Sequence, residues 1–449
     1  MDVIFTHCAG LDVHKKSITA CRVVPDPTGH AVEGLMEVQQ FGTLPRDLLA
    51  LADWLTAAGI THVAIESTGE YWKPVFNLLE GHVTVFLVNA AHVKNVPGRK
   101  TDKADARWLA KLMRYGLLQA SFIPPAGHRD LRDLARYRTK LVQERRREVN
   151  RVQGVLERAN IKRASVASAM MGVSARAMLD SLISGRADPA TMAALARGRL
   201  RSKMPLLEQA LTGVVRPHHQ RLLAIQLAHI DFLDEQIETL STEIATCLTA
   251  LDSSTAVRPA EAEDPAPQAE PPVPQGTTVA PSRMTFTRAA TLLDTIPGVN
   301  QRGAEMLIAE WGIDMERFGS AGRLAAWSGV APGNHESAGK QLTGTTRKGN
   351  RVLRAGLTQL AHAAVRTKET YLSAFYHRLA ARRGKKRAIM AVAHSIVVRA
   401  FHMLTRNEPY RELGANYFDE KRREYTVDRL AQRIERLGYE VHLTPLPTS

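Results

Sequence analysis

The stretch VIFTHCAGLDVHKKSITACRVV, Val3 to Val24, decides how the first part of the chain folds. Two apolar, β-branched runs, residues 3–13 and 17–24, are separated by the turn-forming pair Lys15-Lys16 and read as neighbouring strands. A third run, 31–41, follows Pro25-Asp26-Pro27-Thr28-Gly29 and completes a three-strand meander. Working outward, residues 44–58 carry helical spacing and stop at Gly59, 63–67 form a short strand, and 71–80 form a helix ending at Gly81. Residues 83–89 form a fifth strand, and a helix runs from about 102 to 115.

Three strands, helix, strand, helix, strand, helix is the topology of the ribonuclease H-like fold, so residues 1–125 are expected to be an α/β domain. Such a fold hosts many functions and fixes none. The acids within it are more informative. Asp12 alternates with Leu11 and Val13, which separates its side chain from its apolar neighbours. Glu66 closes the fourth strand, while Asp102 and Asp105 lie three apart behind Thr101, the expected helix N-cap. All four can converge on one edge of the sheet. Oxygen-only donors of this kind suit Mg2+ or Mn2+, and two such ions about 4 Å apart would stabilise attacking and leaving oxygens in phosphoryl transfer. Carboxylates packed together without cations repel one another. A purely structural role for these acids stays open.

The chain is strongly basic: 60 Lys and Arg stand against 45 Asp and Glu, a net charge of +15 over 449 residues. That balance points to a polyanionic partner, nucleic acid first. Binding to a membrane surface is the competing reading. However, no run of about 18 apolar residues and no signal-peptide core is evident, so a cytoplasmic protein is expected. Cys8, Cys21 and Cys247 are far apart and in no metal-ligand spacing, as ordinary core thiols would be. No phosphate-binding P-loop motif occurs.

Residues 126–251 are expected to be helical. A polar helix over 128–163 holds twelve Lys or Arg and five acids, with Arg145, Arg146 and Arg147 as candidate phosphate contacts. A solvated helix laced with salt bridges is the alternative. Leu223, Leu227, Ile230, Leu233, Ile237, Leu240, Ile244 and Leu248 recur at steps of three and four, which suggests a coiled coil or helical hairpin. Residues 252–284 form a Pro-rich linker; 252–282 hold seven prolines and five acids.

A C-terminal domain is expected over 285–415, followed by a tail, 416–449. Residues 292–312 read as helix, Ile296-Pro297-Gly298-Val299-Asn300 turn, and helix, similar to a helix-hairpin-helix whose amides at Gly298 would face phosphates, with an αα-hairpin that merely packs as the alternative. Residues 345–406 contain fourteen Lys or Arg and one acid, Glu369. Phosphate neutralisation is the simplest account of that imbalance, with Lys340, Arg347, Lys348, Arg351 and Arg354 as candidate nucleic-acid contacts. Ser337 sits among glycines and cations, where nearby positive charge would stabilise an alkoxide and a pentavalent phosphorane. A structural loop serine is the plain alternative.

Taken together, Gly10-Leu11-Asp12-Val13-His14-Lys15, Ala64-Ile65-Glu66-Ser67-Thr68-Gly69 and the run from Pro97 through Thr101-Asp102-Lys103-Ala104-Asp105-Ala106 form one ordered set. A second set is Ile296-Pro297-Gly298-Val299, Gly329-Val330-Ala331-Pro332, Ser337-Ala338-Gly339-Lys340 and Lys348-Gly349-Asn350-Arg351. In this order the motifs resemble the DEDD transposases of bacterial insertion sequences, insertion-sequence family one-ten, and the resemblance spans nearly the whole chain. It implies a RuvC-like N-terminal domain, a coiled-coil middle and a mainly helical transposase domain. By the same resemblance Asp12, Glu66, Asp102 and Asp105 take the four acidic, metal-binding positions and Ser337 the nucleophilic one. It further implies donor and target DNA, a structured noncoding bridge RNA, and homo-oligomers in which the acids of one protomer meet the serine of another. The Pro-rich insertion is longer than that pattern leads one to expect.

Three functions are therefore carried forward. The first is a transposase, a site-specific DNA recombinase that breaks and rejoins strands through a serine link, which keeps the bond energy without ATP. The second is a metal-dependent junction nuclease that activates water, with Ser337 structural. The third is a nucleic-acid-binding protein without chemistry.

Overall fold

A computed structural model describes residues 2–28, 34–66, 69–88, 102–162, 166, 171–185, 188–256, 284–333, 335–337, 340–346, 349–421 and 423–443. The chain divides into two compact units, Met1–Pro125 and Ala126–Ser449.

The first unit is α/β. Its elements run β1 (Cys8–Val13), β2 (Ile18–Val24), β3 (Leu35–Phe41), α1 (Pro45–Ala57), β4 (His62–Glu66), α2 (Trp72–Leu79), β5 (Thr84–Val88) and α3 (Asp102–Arg114). The sheet order is β3-β2-β1-β4-β5; the first three strands form the expected antiparallel meander, and β4 and β5 lie parallel to β1. β1 begins at Cys8 rather than Val3, because the Ile4 and Phe5 amides donate to the Arg114 carbonyl at the end of α3 instead of joining the ladder.

Alternation divides the strands between two cores. Ala9, Leu11, Val13, Val63 and Ile65 pack with Leu48, Leu51 and Leu55 of α1 and Val75 and Leu79 of α2. Cys8, Ala64 and Val88 pack on the other face with Ala106, Leu109, Ala110 and Met113 of α3. Cys8 and Cys21 are buried in that second layer, where burial pushes their thiols up to about 12 and about 11, so they are inert core groups as expected.

The second unit is almost entirely helical. Its scaffold is a pair of long helices, α4 (Ala126–Arg158) and, after a stretch that includes α5 (Val173–Ser184), α6 (Pro189–Ala194) and α7 (Met204–Leu211), the partner α8 (Pro217–Ala256). They run antiparallel: Gly127 lies against Leu251, Arg138 reaches Ser241, and Arg145 pairs with Asp234. The leucine stripe of α8 is buried within the chain. Leu223, Leu227 and Ile230 join Val152, Val155 and the short helices, Leu233 and Ile237 meet Leu141, and Ile244 and Leu248 enter the C-terminal core. Intramolecular packing thus accounts for the heptad-like pattern. α8 also continues through Asp252 to Ala256, residues whose composition had suggested linker, and Asp252 accepts hydrogen bonds from the Phe286 and Thr287 amides. Residues 257–283 of the Pro-rich stretch lie outside the described residues.

The C-terminal part of this unit runs α9 (Phe286–Asp294), α10 (Gln301–Trp311), α11 (Ala321–Trp327), the hairpin β6 (His335–Ser337) and β7 (Lys340–Thr343), then α12 (Arg351–Arg366), α13 (Tyr371–Arg383) and α14 (Lys385–Arg406), and the helices form its core. Short helices α15 (Tyr417–Glu420) and α16 (Arg423–Glu435) follow where a tail was expected. α14 is long and apolar enough to cross a membrane, a feature the sequence reading did not register. Its Ile389, Val392, Ile396, Val397 and Ala400 are instead buried in the core of this unit.

Candidate active site

The acidic end of the first unit follows from strand register. β1 and β4 are parallel with Leu11 opposite Ile65 and both facing the α1–α2 core, so the next residues, Asp12 and Glu66, stand at adjacent strand ends on the opposite face. That is the face covered by α3. Asp12 is only 5% exposed, and its Oδ2 lies 3.2 Å from Nε2 of His14.

Gly10 decides how α3 meets the strand. A β-carbon there would lie 2.4 Å from both the Ala106 carbonyl oxygen and the Ala110 amide nitrogen, so only glycine allows the helix to rest on β1. Cys8 Sγ lies 3.6 Å from the Ala110 oxygen, and Ile4 and Phe5 bond to Arg114, so α3 runs antiparallel to β1. Its first turn, which begins at Asp102 and includes the half-buried Asp105, therefore lies at the end of β1 that carries Asp12. Thr101 and the side chain of Asp102 fall outside the described residues, as do Ser67 and Thr68. Among the described residues no group of three or more His, Cys, Asp or Glu side chains is close enough to hold a metal ion.

In the second unit Ser337 is the last residue of β6, in register with Lys340, the first of β7. Ser337 therefore stands on a strand end, where the plain alternative had placed a loop. Ala338 and Gly339, together with the side chains of Ser337 and Lys340, lie outside the described residues, as do Arg347 and Lys348. The base of this hairpin is pinned by backbone. Gly333 N–H donates to the Thr345 oxygen at 3.1 Å and Asn350 N–H to the Trp327 oxygen at 3.2 Å. Gly329, at φ +73°, crosses Gly349 so closely that a β-carbon on Gly349 would stand 2.6 Å from the Gly329 α-carbon. Gly329 of the Gly-Val-Ala-Pro motif and Gly349 of the Lys-Gly-Asn-Arg motif therefore meet at one point.

Asn350 links this point to the hairpin scaffold. Its Oδ1 accepts from the Val352 and Leu353 amides and caps α12, while its Nδ2 donates to Glu310 Oε2 at 2.6 Å. Glu310 is 2% exposed and also accepts a fork from Arg136 of α4, at 2.6 and 2.9 Å. The last carbonyls of α10 are met by side chains from α4: Arg132 donates to the Ala309 and Glu310 oxygens, and His128 Nε2 lies 3.0 Å from the Ala309 oxygen. Burial holds His128 down to about 4, with Arg132 adding to the effect.

The cations sort into two groups. Arg145 forms a two-pronged pair with Asp234, whose hydrogen bonds raise the Arg145 pKa, and Arg138 is buried against Glu305 at 2.7 Å. These hold the helices together. Arg146, Arg147 and Arg351 are exposed and Arg354 is half-buried. Gly298, expected to offer its amide to phosphate, has φ +83° and packs on α12, where a β-carbon would sit 2.1 Å from the Ala364 nitrogen. Close helix packing explains that glycine.

Sequence reasoning did not pick out His14, Glu310 or Asn350. The first was legible, since Asp-x-His on a strand puts both side chains on one face. Glu310 was not, because nothing local distinguishes it from a solvated helix acid.

An α/β unit with Asp12 and Glu66 at adjacent strand ends is thus followed by a helical, cation-rich unit that carries Ser337 on a hairpin. Residues 9–161 match the DEDD model for IS110 transposases, and residues 290–377 match the model described as transposase of the IS116/IS110/IS902 family. The chain belongs to this family. It is 23% identical over 330 residues to the transposase for insertion sequence element IS1111A of Coxiella burnetii, covering 72% of each chain. It is also 33% identical over 125 residues to the y4pF/y4sB protein of Sinorhizobium fredii, a match covering 27% of this chain and 32% of that protein.

Proposed function

We propose that the chain is a DNA transposase that cuts and rejoins strands through Ser337, with a divalent cation held by Asp12, Glu66, Asp102 and Asp105. The observation that carries this reading is the register of β1 with β4, which sets Asp12 beside Glu66 under the first turn of α3. The β3-β2-β1-β4-β5 order also supports a ribonuclease H-like, RuvC-like unit. All four donors are carboxylates, which fits Mg2+ or Mn2+; the bound ion would supply Lewis-acid polarisation of the phosphate.

The remaining chemistry belongs to the chain's own groups. The Ser337 hydroxyl loses its proton and its oxygen forms a bond to phosphorus. The bond from that phosphorus to one deoxyribose oxygen breaks, and the freed oxygen takes up a proton. A hydroxyl of the incoming strand then attacks the phosphoserine, restoring Ser337 and closing the new strand without a nucleotide cofactor. Arg351, exposed at the start of α12, Arg354 behind it, and Lys340, Arg347 and Lys348 would hold the phosphates. Family membership and the +15 net charge support DNA as substrate and a structured guide RNA as a second polyanion, in an oligomer with composite sites in the bacterial cytoplasm.

The test is to incubate the protein with element-end DNA, the element's noncoding RNA and Mg2+, then look for a denaturation-resistant protein-DNA adduct. Wild type should form it and Ser337→Ala should not. An adduct with Ser337→Ala would refute the serine link, and free ends without any adduct would point to hydrolysis by activated water.

A further inference from the structure

A cavity of about 1020 Å3 in the second unit lies beside the serine hairpin and is lined by neither the acids nor the serine. Its wall includes Pro332 on one side of the hairpin and Gly344, Thr345 and Thr346 on the other, so it opens at the base from which β6 and β7 project. The interior is apolar and aromatic, formed by Phe375 and Leu379 of α13 and Met390, Ala391 and Val398 of α14. Phe375 is held by near-parallel stacking on Tyr371 and Phe418, at 5.9 and 6.0 Å between ring centres.

Polar groups are few and convergent. His394 and Ser395 lie on the inner wall, and burial keeps His394 below its ordinary pKa, so it is a neutral donor or acceptor. The mouth carries Arg383, Lys386 and Arg387, all exposed, and no Asp or Glu lines the cavity among the described residues. An apolar chamber of this size with neutral hydrogen-bonding groups inside and a cationic rim matches a planar heterocycle attached to a phosphate. A base can enter such a chamber only after leaving its stack.

We propose that this cavity receives a nucleotide unstacked from the DNA next to the bond at which Ser337 acts, its base against Phe375, Leu379 and Met390 and its phosphate on the Arg383–Lys386–Arg387 rim. The assignment of DNA rests on the proposed transposase reading. Withdrawing one base from the stack would fix the strand's register at the hairpin, and the rim would hold the backbone on either side of the withdrawn residue.

The experiment is photocrosslinking of the full-length protein to oligodeoxynucleotides carrying a single 4-thiothymidine, placed in turn at each position around the element end, with 4-thiouridine RNA in parallel. Crosslinks should map to peptides of α13 and α14 that contain Phe375 or Met390, at one or two DNA positions only. Ala391→Trp fills the chamber and should lower that yield at least about tenfold, as expected for the loss of one stacked base. If that variant fails to fold, Arg383→Ala combined with Arg387→Ala removes two exposed rim cations and should give the same direction of change. Crosslinks unaffected by these variants, or spread over the basic surface, overturn the proposal, and crosslinks to RNA alone overturn the DNA assignment. Ser337→Ala should retain the crosslink while losing the adduct, so the cavity and the serine mechanism fail separately.

Discussion

Gly10 of β1 and Ala106 of α3 meet backbone to backbone, with no room for a single methyl group between them. This contact fixes the height of α3 over the sheet and hence the position of Asp105 relative to Asp12. Gly10→Ala must push the helix away. A loss of stability of about 1–3 kcal/mol is expected, as for other overpacked sites, together with a fall in DNA strand breakage larger than the stability loss explains. Thermal melts and adduct yield measured on one preparation check this; unchanged values in both would show that α3 shifts without consequence.

The four carboxylates should bind cation as a set. If the four acids share one end of the sheet as proposed, Asp12→Asn and Asp105→Asn each relieve repulsion there and should leave the melting temperature unchanged or higher. Both should weaken Mn2+ binding followed by calorimetry, and both should abolish adduct formation. If Asp105→Asn kept full Mn2+ affinity and full activity, Asp105 would be a surface acid at a helix start.

Glu310 joins Arg136 and Asn350 at the foot of the serine hairpin. Glu310 is buried but Arg136 is partly exposed and can rehydrate, so Glu310→Ala should destabilise the second unit by about 1–3 kcal/mol. Asn350→Ala should cost about 1 kcal/mol as a lost helix cap. A double-mutant cycle should return a clear coupling energy, and simple additivity would mean that the 2.6 Å contact contributes nothing of its own.

His128 gives the protein an acid limit. Its pKa is near 4 in the folded state against 6.5 when unfolded, so the unfolded chain binds more protons between these values. Stability from this group is complete above about pH 6.5 and declines as pH falls towards 4, by on the order of 3 kcal/mol in total. Urea melts from pH 7 to pH 4 should show this slope in wild type and a shallower one in His128→Gln.

Cations held in pairs and exposed cations should differ in salt response. Arg351→Ala is expected to lower the slope of log affinity against log salt for DNA by about one. Arg145→Ala should leave that slope nearly unchanged and instead lower stability, because Arg145 is engaged with Asp234. Equal slope changes would place both on the phosphate path.

The sequence alone determined the features that depend on local period. Alternation over residues 8–24, the glycine stops at Gly59 and Gly81, and the step of three and four along α8 all correspond to elements in the fold. They were legible because each side chain's face is set by its own backbone geometry. Which surface a stripe meets is not local. The leucines of α8 read equally well as an oligomer seam and as half of an internal hairpin, and only the presence of α4 decided between them. Charge behaved in the same way: Arg145, Arg146 and Arg147 are identical in sequence terms, yet helix rotation turns one onto Asp234 and leaves two in solvent. The glycines carried least of their meaning locally. Gly10, Gly298 and Gly349 each stand where another backbone passes, and a missing side chain gives no sign of what will occupy its space until the chain has folded against it.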